Sequence, residues 1–376
     1  MSTARPPEGE GTPMRAAMAS HLFYDTLRLN RGAGGVLNVA EMLLRSMRSS
    51  PGVDVAPVSA RHPRLFALAR RIGLSRFLLE VLLYNAHLVS AQVSGRRLVS
   101  LFPNYFLPFA LFGRHRDAIV IVHDLQYKTY PEHFSRAKRL WLDWNLRRVA
   151  RSQAHVVFIS RSSQQDFERH FGRCHRPSVI FNPVDAAVPP APADGTVRGE
   201  RYLIAPYHYY PHKNFGATLR LFARMKCYGL VDWLDITGNG AAEVARMAAA
   251  VAPALRDSVR HRGMLPRDEL IRLYLGASAF ISLSTFEGFN LSAAEAAMLG
   301  VPLLLSDIPV HRELFGGYAF FVGDDACDLD CLSRYLSTHQ QLRPAWSHAP
   351  DCQPAAVASR YLMLERDAAA ASGAPL

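Results

Sequence analysis

Short apolar runs recur along this chain, separated by stretches with helical spacing. Strands are predicted over 21–29, 97–101, 117–123, 154–160, 178–181, 201–205, 233–237, 258–263, 279–283 and 301–305. Several of them, such as Ala118-Ile-Val-Ile-Val122 and Ala279-Phe-Ile-Ser-Leu283, lack the alternation of a half-exposed strand. That is how strands covered on both faces of a parallel sheet read. The spacing between the runs predicts helices over 38–47, 135–149, 161–171, 215–226, 241–251, 266–275 and near 292–299, with a last one over 355–371. Strand and helix in regular alternation predict doubly wound α/β architecture.

The alternation breaks once, at Ala186-Ala-Val-Pro-Pro-Ala-Pro-Ala-Asp-Gly195, a segment of linker composition. Residues 20–188 are therefore expected to form one Rossmann-like domain and 189–354 a second. Residues 1–19, with Pro6, Pro7, Gly9, Gly11 and Pro13, read as a disordered extension, and 355–376 as a terminal helix packing back on the first domain.

Composition adds little until charge is divided by position. At 376 residues with 49% hydrophobic and 20% charged content, the chain has material for two cores. No apolar run reaches the roughly 20 residues that span a bilayer. Five scattered cysteines read as reduced thiols of a cytoplasmic protein. Residues 1–190 hold 26 Lys/Arg against 13 Asp/Glu, whereas the remainder is nearly neutral. A basic first half predicts an anionic partner on that side only. No nucleic-acid-binding motif accompanies the charge, so nucleic acid is not expected. Arg61–Leu83, with five arginines among bulky apolar residues, reads either as a basic amphipathic surface on an anionic membrane or as an ordinary surface helix.

The candidate chemistry gathers where strands end. The segment Ser284–Pro302 joins two strands through a turn and a helix, and carries Glu287 and Glu295 around the helix start. Ligands in such folds meet loop amides and positive helix ends at the carboxyl edge of the sheet. Ser292-Ala-Ala-Glu295 also matches a capping box, which would give Glu295 a structural task. His123-Asp124 closes another strand, and Lys213 lies on a further strand-to-helix loop. Gly34-Gly35 at a helix start would let backbone approach a phosphate. Asp328-Leu-Asp330 imitates a metal-binding acid pair, but its place at a helix start reads as a cap.

Taken together and in order, Gly34-Gly35, His123-Asp124, Asn182-Pro-Val-Asp185, His212-Lys-Asn214, Gly238-Asn-Gly240, Arg262-Gly263, Glu287-x7-Glu295 and Gly300-x-Pro302 resemble the retaining glycosyltransferases of family 4. The resemblance spans about residues 20–365 and implies the GT-B fold, two doubly wound domains facing across a cleft. It implies that Glu287 holds donor-sugar hydroxyls and Glu295 the nucleotide ribose. Lys213 would meet the diphosphate, with amides of Phe289, Asn290 and Leu291 beyond Gly288, and with Gly34-Gly35. His123, beside Asp124, would lie near the anomeric carbon; Gly238 belongs to the same donor site, and the segment after Gly263 would contact the base. The family's Arg before the Lys falls on Tyr207, leaving His208 or His212 to compensate.

The function so implied is transfer of a hexose, from GDP-mannose or a UDP-sugar, to a lipid-linked saccharide or surface polysaccharide. No metal or other cofactor is expected, and the setting is the cytoplasmic face of a membrane. Two alternatives stay open: a catalytically silent sugar- or partner-binding subunit, and a nucleotide-sugar epimerase.

Overall fold

A computed structural model describes residues 20–24, 34–51, 53–57, 64–65, 68, 71, 76–94, 98–109, 115–187, 199–207, 210–251, 253–323, 327–342 and 344–371. The extension 1–19, most of the linker, most of 61–75 and His208 lie outside the described residues.

Two six-stranded sheets, parallel throughout, organise the chain. The first contains β1 (Ser20–Tyr24), β2 (Val53–Pro57), β3 (Leu98–Phe102), β4 (Ala118–Val122), β5 (His155–Phe158) and β6 (Arg176–Val179), in the order β2-β1-β3-β4-β5-β6. The second contains β7 (Tyr202–Tyr207), β8 (Trp233–Gly238), β9 (Val259–Gly263), β10 (Ala279–Ser282), β11 (Leu303–Ser306) and β12 (Phe320–Val322), in the order β12-β11-β10-β7-β8-β9. Every residue of β4 and β5 is buried, as the unbroken apolar runs require. Strand order reverses between β1 and β3 in one sheet and between β7 and β10 in the other. Those two reversals open crevices at the carboxyl edges.

The expected helices over 161–171 and 241–251 occupy those residues, and the one over 135–149 runs Arg136–Arg151 with the Ser135 hydroxyl accepting from the Lys138 amide. Sequence patterning missed β2, the helix Pro309–Phe315 and β12. The last two are only seven and three residues long, too short for a period to register. The terminal helix Pro354–Ala371 lies on the helix Gly34–Arg48 beside β1. Its Val357, Ala358 and Tyr361 join a core that runs from Tyr24 and Val99 of the first sheet to Ile204, Phe280 and Leu303 of the second. The two sheets thus share apolar packing at the side where the chain finally crosses back.

Gly238, at the end of β8, has φ +114°, and a Cβ there would sit 2.1 Å from the Tyr207 carbonyl oxygen. Gly263, at the end of β9, has φ +71° with open space around it. Gly238→Ala is therefore expected to cost well over the roughly 1–3 kcal/mol of backbone strain alone, and Gly263→Ala about that strain and no more. Urea unfolding of the two variants measures the difference.

Candidate active site

The loops after β7 and β10 flank the reversal point of the second sheet, and there the Lys213 ammonium meets Glu287 at 2.7 Å. Both side chains are largely withdrawn from water, 24% and 12% exposed. Burial would raise the Glu287 carboxyl, but Lys213 outweighs it and holds the group below its ordinary value. Behind Glu287, Asn290 takes the left-handed conformation, φ 64°, and caps the helix Leu291–Met298 by accepting from the Ala293 amide. Its amide nitrogen donates to His311 Nε2 at 2.8 Å, while His311 Nδ1 donates to the Ser306 carbonyl at 2.9 Å. These bonds fix one neutral tautomer, and burial keeps it neutral.

From the first sheet, β4 delivers His123 and Asp124. His123 is buried and donates from Nε2 to the Pro103 carbonyl at 2.7 Å. Burial lowers its pKa, so the ring is neutral and its Nδ1 is an acceptor. Burial raises the Asp124 carboxyl, against the Gln126 amide that donates to it at 3.0 Å. The two halves touch here. The Gly288 carbonyl accepts from Ser160 Oγ at 2.9 Å, and the His123 carbonyl from Ser163 Oγ at 2.9 Å. A Cβ at position 288 would fall 2.6 Å from the His123 carbonyl oxygen. Alongside, Gln126 Nε2 donates to His212 Nδ1 at 2.9 Å and Tyr130 bonds Thr285 at 2.6 Å. Glu313, on the helix Pro309–Phe315 of the second half, accepts the Arg161 and Ser162 amides at 2.7 and 2.9 Å, capping the helix Arg161–Phe171 of the first.

Glu287, Gly288, Lys213, His123 and Asp124 therefore come together at one seam. Glu295 lies on the helix Leu291–Met298, but its partner is Arg267 at 2.7 Å, and Asn290 caps that helix, so the capping box from Ser292 does not form. Burial nonetheless raises the Glu295 carboxyl despite Arg267. Phe289 is a core side chain, its ring 6.0 Å from Phe181. Leu291 is the first residue of the helix. Gly34 and Gly35 open the helix after β1, with nothing near a Cβ at Gly35.

Tyr207, where the resemblance would put an Arg, is buried, its ring 4.6 Å from Phe215. Burial, followed by the neighbouring Lys213, lowers the His212 pKa to about 4, so its ring is neutral beside Lys213. The acid pair Asp328 and Asp330 behaves as read: Asp328 accepts the amides of Asp330 and Cys331 and caps a helix. Sequence reasoning missed Arg267, His311, Ser160, Ser163 and Glu313, all of which act across 20 or more residues of chain or from surface helices without any local signature.

Residues 194–334 match the family model described as glycosyl transferases group 1. The chain is 24% identical over 291 residues to the O-antigen chain mannosyltransferase B of Escherichia coli, covering 74% of each protein. It is 25% identical over 214 residues to the O-antigen chain mannosyltransferase RfbU of Salmonella typhimurium, covering 56% of this chain and 58% of that one. The structure superposes on sucrose-phosphate synthase of Thermosynechococcus elongatus with a TM-score of 0.62 at 14% identity, covering 94% and 100%. WaaG, a glycosyltransferase involved in lipopolysaccharide biosynthesis, gives 0.52 at 12% identity over 94% and 100%. The chain is a glycosyltransferase of the GT-B fold.

In this glycosyltransferase the Lys213–Glu287 pair yields a stability prediction. Lys213→Ala leaves Glu287 buried and unpaired, which costs on the order of 3–5 kcal/mol at neutral pH. Because the folded Glu287 pKa lies below its unfolded value, the pair stabilises above the ordinary carboxylate pKa, and that contribution is lost as pH falls through the folded value. Urea unfolding at neutral and acid pH should show the variant's deficit shrinking on acidification.

Proposed function

We propose that this glycosyltransferase moves a hexosyl group, with retention, from a nucleotide-diphosphate sugar to a glycan acceptor, and that GDP-mannose is the first donor to test. The observation that carries the reading is the Lys213–Glu287 pair at the reversal point of the second sheet, facing His123 and Asp124 of the first. The mannosyltransferases of O-antigen chains among its relatives favour mannose and a polysaccharide or lipid-linked acceptor.

In this reading the bond from the anomeric carbon to the departing phosphate oxygen breaks and a bond to an acceptor hydroxyl oxygen forms on the same face. The acceptor proton leaves toward the departing phosphate oxygen. Negative charge grows on the diphosphate and positive charge at the anomeric carbon. Lys213 and the amide end of the helix Leu291–Met298 meet the first. Glu287 exchanges its contact with Lys213 for the sugar hydroxyls, and the neutral His123 ring acts as an acceptor beside the anomeric centre. Glu295 and Arg267 receive the ribose, and the segment after Gly263 the base. None of these roles calls for a metal. The acceptor side faces a membrane, at its cytoplasmic surface, through the basic first half.

Glu287→Ala is expected to lower turnover by about 100- to 1,000-fold, the range for losing one preorganised electrostatic partner, while thermal stabilisation by GDP persists. Release of GDP from GDP-mannose, with product anomers read by NMR, checks both rate and retention. Unchanged turnover would overturn the assignment, and isomerised donor without transfer would favour an epimerase.

A further inference from the structure

The helix Arg136–Arg151 carries a feature that donor chemistry does not use. Its first turn holds Arg136, Lys138 and Arg139 and no acid, against the sign the helix dipole favours. Between this helix and the short helix Gln126–Thr129 lies a cavity of about 340 Å³ lined by Tyr127, Lys128, Arg136, Arg139, Leu140 and Asp143. Those residues of the longer helix are spaced i, i+3, i+4 and i+7, one face. Asp143 is committed within the protein, accepting from the Tyr127 hydroxyl at 2.7 Å and pairing with Lys128 at 2.7 Å. Neither Arg136 nor Arg139 has a side-chain hydrogen-bond or ion-pair partner among the described residues, and the Arg139 Nε is buried. The cavity therefore holds two uncompensated guanidinium groups.

The same face continues into an apolar ridge. Leu140 is 71% exposed and Trp144, one turn on, 41%; Phe109 lies 5.3 Å from Trp144 and is 38% exposed. Arg148 is stacked on Phe109 at 3.9 Å and donates to the Leu107 carbonyl, which makes the ridge rigid. A basic cavity opening beside exposed Leu, Trp and Phe suits a molecule with a phosphate at one end and hydrocarbon at the other. Pro131 also lines the cavity, next to the Tyr130 that bonds Thr285, so the cavity lies beside the contact between the two halves.

We propose that this face receives an anionic membrane lipid, its phosphate between Arg136 and Arg139 and its apolar part against Leu140, Trp144 and Phe109. The proposal rests on the reading of a membrane-side acceptor and supplies the surface that reading lacks.

Co-sedimentation of the full chain with phosphatidylcholine vesicles, with and without phosphatidylglycerol, tests it independently of transfer. Wild type should bind the anionic vesicles. Arg136→Gln/Arg139→Gln should bind them about thirty-fold more weakly, from about fivefold per cation at an anionic surface, with stabilisation by GDP unchanged. Leu140→Ser, at an exposed position, should weaken vesicle binding about tenfold or more, and it carries the test should the double variant fold poorly. Vesicle binding of either folded variant equal to wild type overturns the proposal. So does a wild type stabilised by inorganic phosphate but indifferent to anionic vesicles, since the site would then serve a soluble phosphate. Loss of GDP stabilisation in wild type would instead strike at the donor reading and leave vesicle binding standing.

Discussion

Position 288 tolerates no side chain, and the arrangement of the cleft depends on that. The Gly288 carbonyl sits against Ser160, and its α-carbon is packed so closely on the His123 carbonyl that even a methyl group would overlap it. Two parallel sheets, each with its own crevice, are thereby brought edge to edge at the ends of β4 and β10. The residues that titrate at the seam then govern each other. Glu287 is held ionised by Lys213, whereas Asp124 is pushed toward its protonated form by burial, with Glu287 adding to that push.

Much of this was legible from sequence because the sheets are buried on both faces. Unbroken runs such as Ala118–Val122 could only be central strands, and their ends located His123 and Glu287 without any structure. Lys213 followed from its place before the helix Phe215–Cys227. What could not be read is pairing across the cleft. Nothing in the sequence near Glu313 announces that its carboxylate caps a helix 151 residues earlier, and nothing near Arg267 joins it to Glu295.

The surroundings of Tyr207 and His212 are not legible from their distance in sequence to Lys213. β7 runs on to residue 207 and buries the tyrosine, and a 3-10 turn over Pro211–Lys213 turns His212 toward Gln126. Desolvation then keeps the imidazole neutral.

The Glu313 contact has a consequence for the energy of opening. Separating the sheets would expose two helix-end amides and strand a carboxylate, beyond breaking the Ser160 and Gln126 bonds. A helix cap alone is worth on the order of 1 kcal/mol. The protein without substrate is thus biased toward the joined arrangement, and a substrate that needs that arrangement gives up little affinity to select it. Any separation of the sheets must break these bonds together, so opening for entry and opening for exit carry the same cost.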